Sequence, residues 1–322
     1  LETGVYPHIA GDGREYVVTE DTALKIRAED GRSIKRTDIS MFISDLPNGK
    51  DTVSFETEDA SGSTSQAAGV VEGIEAGTSL FLIDEDTSAT NFMVRDEFMQ
   101  EVIRREKEPI TPFLERAGDL YEKAGISTIL VAGSSGAFFY IAHKILQMDC
   151  YRPVDITERV KKLCREYKAP RTQAPGFFLP EFQTPLVFHN AEKNNRDRGI
   201  SRRGNERGGR YGRGGQENGS VRERKKIKTL GKDQFSIDRE TVDLRYAEQL
   251  ADGEQTAALA YLLRFALEQG KEGEKTMRQT VELLWKTLET RGWEPFCSSY
   301  VPCGLAKPRK QEIFACLNRY RG

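Results

Sequence analysis

Apolar positions follow two different rhythms along this chain of 322 residues. In the first half they cluster in short strand-like runs: Glu15-Tyr16-Val17-Val18, Leu24-Lys25-Ile26, Leu80-Phe81-Leu82-Ile83 and Ser127-Thr128-Ile129-Leu130-Val131-Ala132. Runs this short, bounded by turn residues, predict strands. Four consecutive apolar residues from Leu80 suit a central parallel strand covered on both faces. Between them, residues 66–74 predict a helix, and residues 94–124 predict one or two helices interrupted at Pro109 and Pro112. Phe138-Phe139-Tyr140-Ile141 and Ile145-Leu146-Gln147-Met148 predict a helix and a strand of the core. Toward the other end the spacing becomes helical, over residues 243–250, 256–267 and 281–288, with Trp285 and Trp293 as core and a last helix ending in Asn318-Arg319-Tyr320-Arg321. The pattern is α/β, followed by a small helical domain.

Candidate chemistry concentrates between Asp59 and Asn91. Asp84 and Glu85 close the apolar strand at its carboxyl end, where open α/β sheets hold ligands. Two adjacent carboxylates there can divide labour. Asp84 is placed to hold Mg²⁺, which takes few carboxylates and several waters. Glu85 is placed to polarise a water for attack on a terminal phosphate. Ser61-Gly62-Ser63-Thr64 opens the helix 23 residues before Asp84. Small hydroxyls favour helix N-caps, and the free N–H groups and dipole there attract anions. Gly62 lets a phosphate approach the backbone. Taken singly, the carboxylate pair reads as a solvated strand end and the turn as a plain cap. Their order and spacing favour the paired functional reading.

These residues resemble the signature motif, Walker B strand and D-loop of ABC-type ATPases. On that resemblance Ser61, Gly62 and Ser63 are signature residues that contact nucleotide across a subunit interface. Asp84 is the Mg²⁺-associated Asp, Glu85 the catalytic Glu, and Ser88-Ala89-Thr90-Asn91 the D-loop, with Ser88 and Asn91 as its site residues. The chain resembles more narrowly the ABC-class ATPases that are not transporters, through Gly4-Val5-Tyr6-Pro7-His8-Ile9, Gly11-Asp12-Gly13-Arg14-Glu15, residues 25–32, Glu108-Pro109-Ile110-Thr111-Pro112-Phe113 and Met148-Asp149-Cys150-Tyr151-Arg152-Pro153. Within them it is similar to a mitochondrial, RNA-editing-associated member of trypanosomes. The resemblance implies an ABC-type P-loop ATPase core over residues 1–190, a basic insert over 191–229 and a helical C-terminal domain over 230–322. It also implies ATP and Mg²⁺ as cofactors, a homodimer or internal pairing, and a mitochondrial location.

Two departures stand beside it. No Gly-x-x-x-x-Gly-Lys-Ser/Thr loop occurs in these residues, so they are expected to be part of a longer protein and to bind ATP poorly alone. The family's switch His is absent, and Gly133-Ser134-Ser135-Gly136 follows the strand that should precede it. That loop has two readings, phosphate contact through backbone N–H groups or a plain turn. Arg27, Glu29, Asp30 and Arg32 lie near the family's Q-loop, where no Gln is present. They are expected to form a surface ion-pair cluster, a reading favoured over one in which Glu29 stands in for that Gln.

Charge changes the picture at one place. The formal net charge is −2, but residues 194–228 carry +8, leaving −10 on the rest. Arg202, Arg203, Arg207, Arg210, Tyr211 and Arg213 lie in a low-complexity stretch with two Arg-Gly-Gly units. With almost no aliphatic residues it cannot bury a core and is expected to be disordered. Arg binds phosphate and stacks on bases, Tyr offers a ring face, and Gly keeps the backbone adaptable. Single-stranded RNA, bound with little sequence preference, is therefore favoured over a solubilising linker. The five cysteines include no C-x-x-C pair, which fits a reducing compartment. His8, His143 and His189 are scattered and read as structural. No apolar run approaches the ~18 residues of a membrane helix.

The leading expectation is a non-transporter ATPase that opens and closes around RNA, within a larger RNA-processing complex and without a membrane partner. The alternative is an RNA-binding scaffold with a degenerate, non-hydrolysing nucleotide site. A transporter motor is the weakest reading, because the Arg/Gly insert would have no purpose in it.

Overall fold

The structure, a computed structural model, describes residues 2–6, 16–104, 107–170, 174–183, 185, 186, 188, 225–269 and 275–320. In chain order its first half contains β1 (Leu24–Ile26), β2 (Ile34–Thr37), β3 (Phe55–Thr57), α1 (Gly62–Glu75), β4 (Leu80–Asp84), α2 (Thr90–Met93), α3 (Glu97–Val102), α4 (Phe113–Ala124), β5 (Ser127–Val131), β6 (Leu146–Asp149), β7 (Arg152–Asp155) and α5 (Thr157–Cys164). The second half adds β8 (Ile227–Thr229), β9 (Gln234–Ile237), β10 (Glu240–Asp243), α6 (Gly253–Gln269), α7 (Met277–Arg291) and α8 (Lys310–Tyr320).

β1, β4 and β5 form a parallel sheet with β4 in the middle, Leu80 facing Ser127 and Phe81 facing Leu24. Phe81, Leu82 and Ile83 are all buried, as their unbroken apolar run predicts. Helix α1 starts because Ser61 caps it, its Oγ accepting from the Thr64 N–H, and it ends before Gly77, whose φ of +75° suits glycine. Its glycines serve contact. A Cβ on Gly73 would stand 2.7 Å from the Phe81 ring and 2.9 Å from Leu24. Helix α4 ends at Gly125 in the left-handed region, its N–H donating to the Leu120 and Tyr121 carbonyls. The core under the sheet is built round Phe42, Phe92 and Phe113, whose ring centroids lie 5.1–6.4 Å apart.

A second core gathers Phe235, Leu259, Leu262, Leu263, Val281, Leu284, Phe296, Ile313 and Leu317 from the last hundred residues. Helix α7 opens with a capping box between Thr276 and Gln279. Trp285 and Trp293 pack against this core partly buried.

Several expectations change. Residues 16–18 form no strand, and Tyr16 is exposed. Residues 243–250 are the end of β10 and a run of turns, because Asp243 caps the Arg245 N–H and breaks the helical spacing. The helices of the second half are preceded by an antiparallel sheet, β10-β9-β8. The β6–β7 hairpin is exposed along its length, so its apolar residues belong to no core. Its two-residue turn places Cys150 and Tyr151 at φ +47° and +65°, as a type I′ turn requires.

Candidate active site

The strand, helix and loop predicted to carry the chemistry come together through one buried side chain that sequence reading passes over. Gln66, in the second turn of α1, is fully buried. Its Nε2 donates to Ser88 Oγ at 2.9 Å and its Oε1 accepts from the Ala89 N–H at 2.8 Å. Ser88 Oγ in turn donates to the Asp84 carbonyl at 2.8 Å. One amide therefore ties the Ser61–Ser63 turn to the Ser88–Asn91 loop, and that loop to the strand end. A Cβ on Gly62 would meet Ala28 and Asp30 at 3.2 Å, and Ala89 at 3.5 Å. A side chain at Gly62 would therefore need the side chains of Ala28 and Asp30 to give by a few tenths of an ångström. Ser61 is exposed, Ser63 is buried, and Asn91 is exposed in α2.

Asp84 is half-buried at the end of β4, and its Oδ1 accepts from the Asp86 N–H at 3.1 Å. Its second oxygen has no protein partner among the described residues. One carboxylate with a free oxygen fits an ion that keeps most of its waters, as Mg²⁺ does. Among the described residues no group of three or more His, Cys, Asp or Glu is arranged to hold a metal by itself.

Glu85 is held by the loop that replaces the switch His. Its Oε2 accepts from the N–H groups of Gly133 at 2.7 Å, Ser134 at 2.9 Å and Ser135 at 3.4 Å, while Oε1 accepts from Ser134 Oγ at 2.6 Å. Successive N–H groups converging on one carboxylate form an anion nest. The Ser134 hydroxyl, followed by the backbone donors, holds the Glu85 carboxyl below the usual carboxylate range. Beside the two readings of this loop, phosphate contact or plain turn, the structure shows a third arrangement: it grips the catalytic candidate.

The charged cluster at residues 27–32 lies only partly on the surface, with Asp30 exposed and Arg27 half-buried. Glu29 and Arg32 are more than nine-tenths buried. Arg32 NH2 donates to Glu72 at 2.5 and 2.7 Å, and Arg319 NH2 donates to both Glu29 oxygens at 2.8 Å. Burial works against the charge of Glu29, but Arg319 and then Arg32 outweigh it and lower its carboxyl. Sequence distance hides this arrangement, since Glu72 and Arg319 lie 40 and 290 residues from their partners. Arg202, Arg203, Arg207, Arg210, Tyr211 and Arg213 lie outside the described residues. Among the described residues no helix is long and apolar enough to cross a membrane.

Comparison with known proteins agrees with this geometry. The model of the ABC_ATPase P-loop domain matches residues 1–184. The model of the MRB1590 C-terminal domain matches residues 226–322. The uncharacterized protein MJ1628 of Methanocaldococcus jannaschii is 32% identical over 136 residues, which is 42% of this chain and 29% of that protein. The chain therefore spans under a third of the relative it matches. With a parallel sheet, a capped helix opposite its strand end, and a family match over more than half its length, the chain belongs to the ABC-type P-loop ATPases.

Proposed function

We propose that this protein is a non-transporter ABC-type ATPase that binds single-stranded RNA and couples ATP binding and hydrolysis to opening and closing of a homodimer around it. Its setting is mitochondrial RNA processing or editing, within a larger RNA-processing complex, as the sequence resemblance implies. The observation that carries the reading is the Gln66 tie, which binds signature, D-loop and Walker B strand end into one unit. The C-terminal match to the MRB1590 domain supports the RNA side.

In this reading Ser61, Gly62 and Ser63 present hydroxyls and helix N–H groups to phosphate oxygens of ATP bound by a second subunit. Asp84 would hold Mg²⁺, which would neutralise part of the charge on the phosphates of ATP. Ser88 and Asn91 sit at the subunit boundary, where Gln66 carries a shift of the D-loop into α1. Glu85 orients a water and takes its proton on a carboxylate oxygen. To do so it leaves the Gly133–Ser135 nest, so the gripped carboxylate is the resting arrangement. Arg202, Arg203, Arg207, Arg210, Tyr211 and Arg213 bind RNA by phosphate contact and stacking.

The same grip is the one observation that favours the alternative, a scaffold whose nucleotide site does not hydrolyse. Turnover of Glu85→Gln beside wild type, in the intact protein, separates the two. The reading expects turnover to fall about a hundredfold or more while ATP still binds, since removing a base costs ~10²–10⁴-fold. Equal turnover in both proteins would sink it.

A further inference from the structure

The second half of the chain takes hold of the signature helix at both ends. At the C-terminal end of α1, Arg278 Nε donates to the Glu75 carbonyl at 2.9 Å and its NH2 to Ile74 at 3.3 Å, while Gln311 Nε2 donates to Ala76 at 3.4 Å. These are carbonyls that a helix end leaves without intrahelical partners. At the N-terminal end the link runs through Glu29. The Glu29 N–H donates to Ser65 Oγ at 2.9 Å, and Ser65 Oγ donates to the Gly62 carbonyl at 3.0 Å. Flanking backbone pairs staple the same segment, Gly31 N–H to the Ala60 carbonyl at 2.8 Å and Ala28 N–H to the Thr87 carbonyl at 2.9 Å. The backbone of residues 28–31 is thus fastened to the signature turn and the D-loop. The Glu29 carboxylate is fastened to Arg319 in α8.

The seam around this link mixes apolar residues, Leu24, Ile26 and Phe314 among them, with buried polar ones. A cavity of about 40 Å³ lies there, lined among others by Glu29, Arg32, Gln249, Asn318 and Arg319. It exceeds the ~10–15 Å³ that one water needs. Both amide atoms of Asn318, the Gln249 Nε2 and the Arg32 Nε are buried beside it with no protein partner among the described residues. With water-sized space and unmatched polar atoms on both sides, the Arg319–Glu29 pair is a direct fastening between α8 and the signature segment.

We infer that Arg319 is a positioning residue for the signature turn: through Glu29 it lets the C-terminal domain set where Ser61–Ser63 stand, and so acts on nucleotide turnover. This deepens the proposed ATPase reading and rests on it.

The test uses the intact protein, with Arg319→Ala and Arg319→Lys beside wild type. Turnover, ADP affinity and amide hydrogen exchange over residues 61–65 and over β5 are measured together. ADP tests a subunit's own nucleotide cradle and does not need the signature turn of its partner. Misplacing a catalytic surface far from the chemistry costs up to ~100-fold, so Arg319→Ala is expected to lower kcat about tenfold or more and raise the KM for ATP. ADP affinity should stay within about twofold, and exchange should rise over residues 61–65 but not in β5. Arg319→Lys, which keeps the charge but not the planar fork, should restore part of the loss. Unchanged kcat overturns the inference. So does a joint fall of kcat and ADP affinity with exchange raised everywhere, which would mark a purely structural residue. If wild type hydrolyses no ATP, the ATPase reading fails separately. Exchange then decides the link alone, raised selectively over residues 61–65 if it holds and unchanged there if it does not.

Discussion

The grip on Glu85 makes a quantitative prediction for Ser134→Ala. The variant removes the 2.6 Å hydroxyl donor and leaves the three backbone N–H donors in place. A hydrogen bond to a charged group contributes about 1.5–3 kcal/mol when shielded. Glu85 is only half-buried, so solvent screening reduces this to about 1 kcal/mol. The Glu85 pKa should rise, back toward the ordinary Glu value. The sign follows from the donor set: the hydroxyl stabilises the ionised form, so its removal favours the protonated one. The assay is a carboxyl-carbon NMR titration with Glu85 assigned by comparison with Glu85→Gln. In an active intact protein, the acid limb of the kcat profile should move to higher pH. A titration unchanged within about 0.2 unit would refute the contact, since a carboxylate deprived of a 2.6 Å donor does not keep its pKa.

Three other outcomes can be measured. Gly73→Ala forces a methyl against the buried Phe81 ring and is expected to destabilise by about 1–3 kcal/mol in urea unfolding, despite the better helix propensity of Ala. Glu29→Gln leaves Arg319 and Arg32 partly uncompensated, at a cost of about 3 kcal/mol near neutrality. Because the folded-state carboxyl is depressed, that contribution is full above the unfolded value of about 4.3 and is lost as pH falls through the lower folded value. The stability gap between wild type and variant should therefore be flat above about pH 5 and close below about pH 4. Deleting residues 194–228 should weaken binding of single-stranded RNA and flatten its salt dependence by about 0.7 in log–log slope for each phosphate that is no longer neutralised. Unchanged affinity would move the RNA site elsewhere.

What the chain discloses in advance is what local chemistry decides. The strand at Leu80, the capped helix at Gly62 and the carboxylates that follow need only periodicity, capping preference and strand-end position. Helix α4, between Pro112 and Gly125, is bracketed by its own breakers. The turn-rich stretch at 243–250 misleads because its apolar spacing is helical while Asp243 satisfies the next backbone donor and stops a helix. Gln66 carries no local mark at all. A glutamine near the start of a helix is ordinary until a loop 22 residues on supplies an acceptor and a donor. Likewise, Glu29 and Arg32 look like any hydrated charge run until Glu72 and Arg319 arrive from other elements and make burial possible. Long-range polar partners are where a single sequence is silent, and they are what joins this site to the rest of the protein.

The central claim is that Glu85 drives an ATPase cycle that RNA engages. The direct measurement is ATP hydrolysis by the intact protein, wild type beside Glu85→Gln, with and without single-stranded RNA. The account predicts turnover in wild type that RNA changes, and turnover abolished in Glu85→Gln while ATP remains bound. ATP bound by both proteins with no turnover in either would contradict it and leave a nucleotide-gated RNA scaffold.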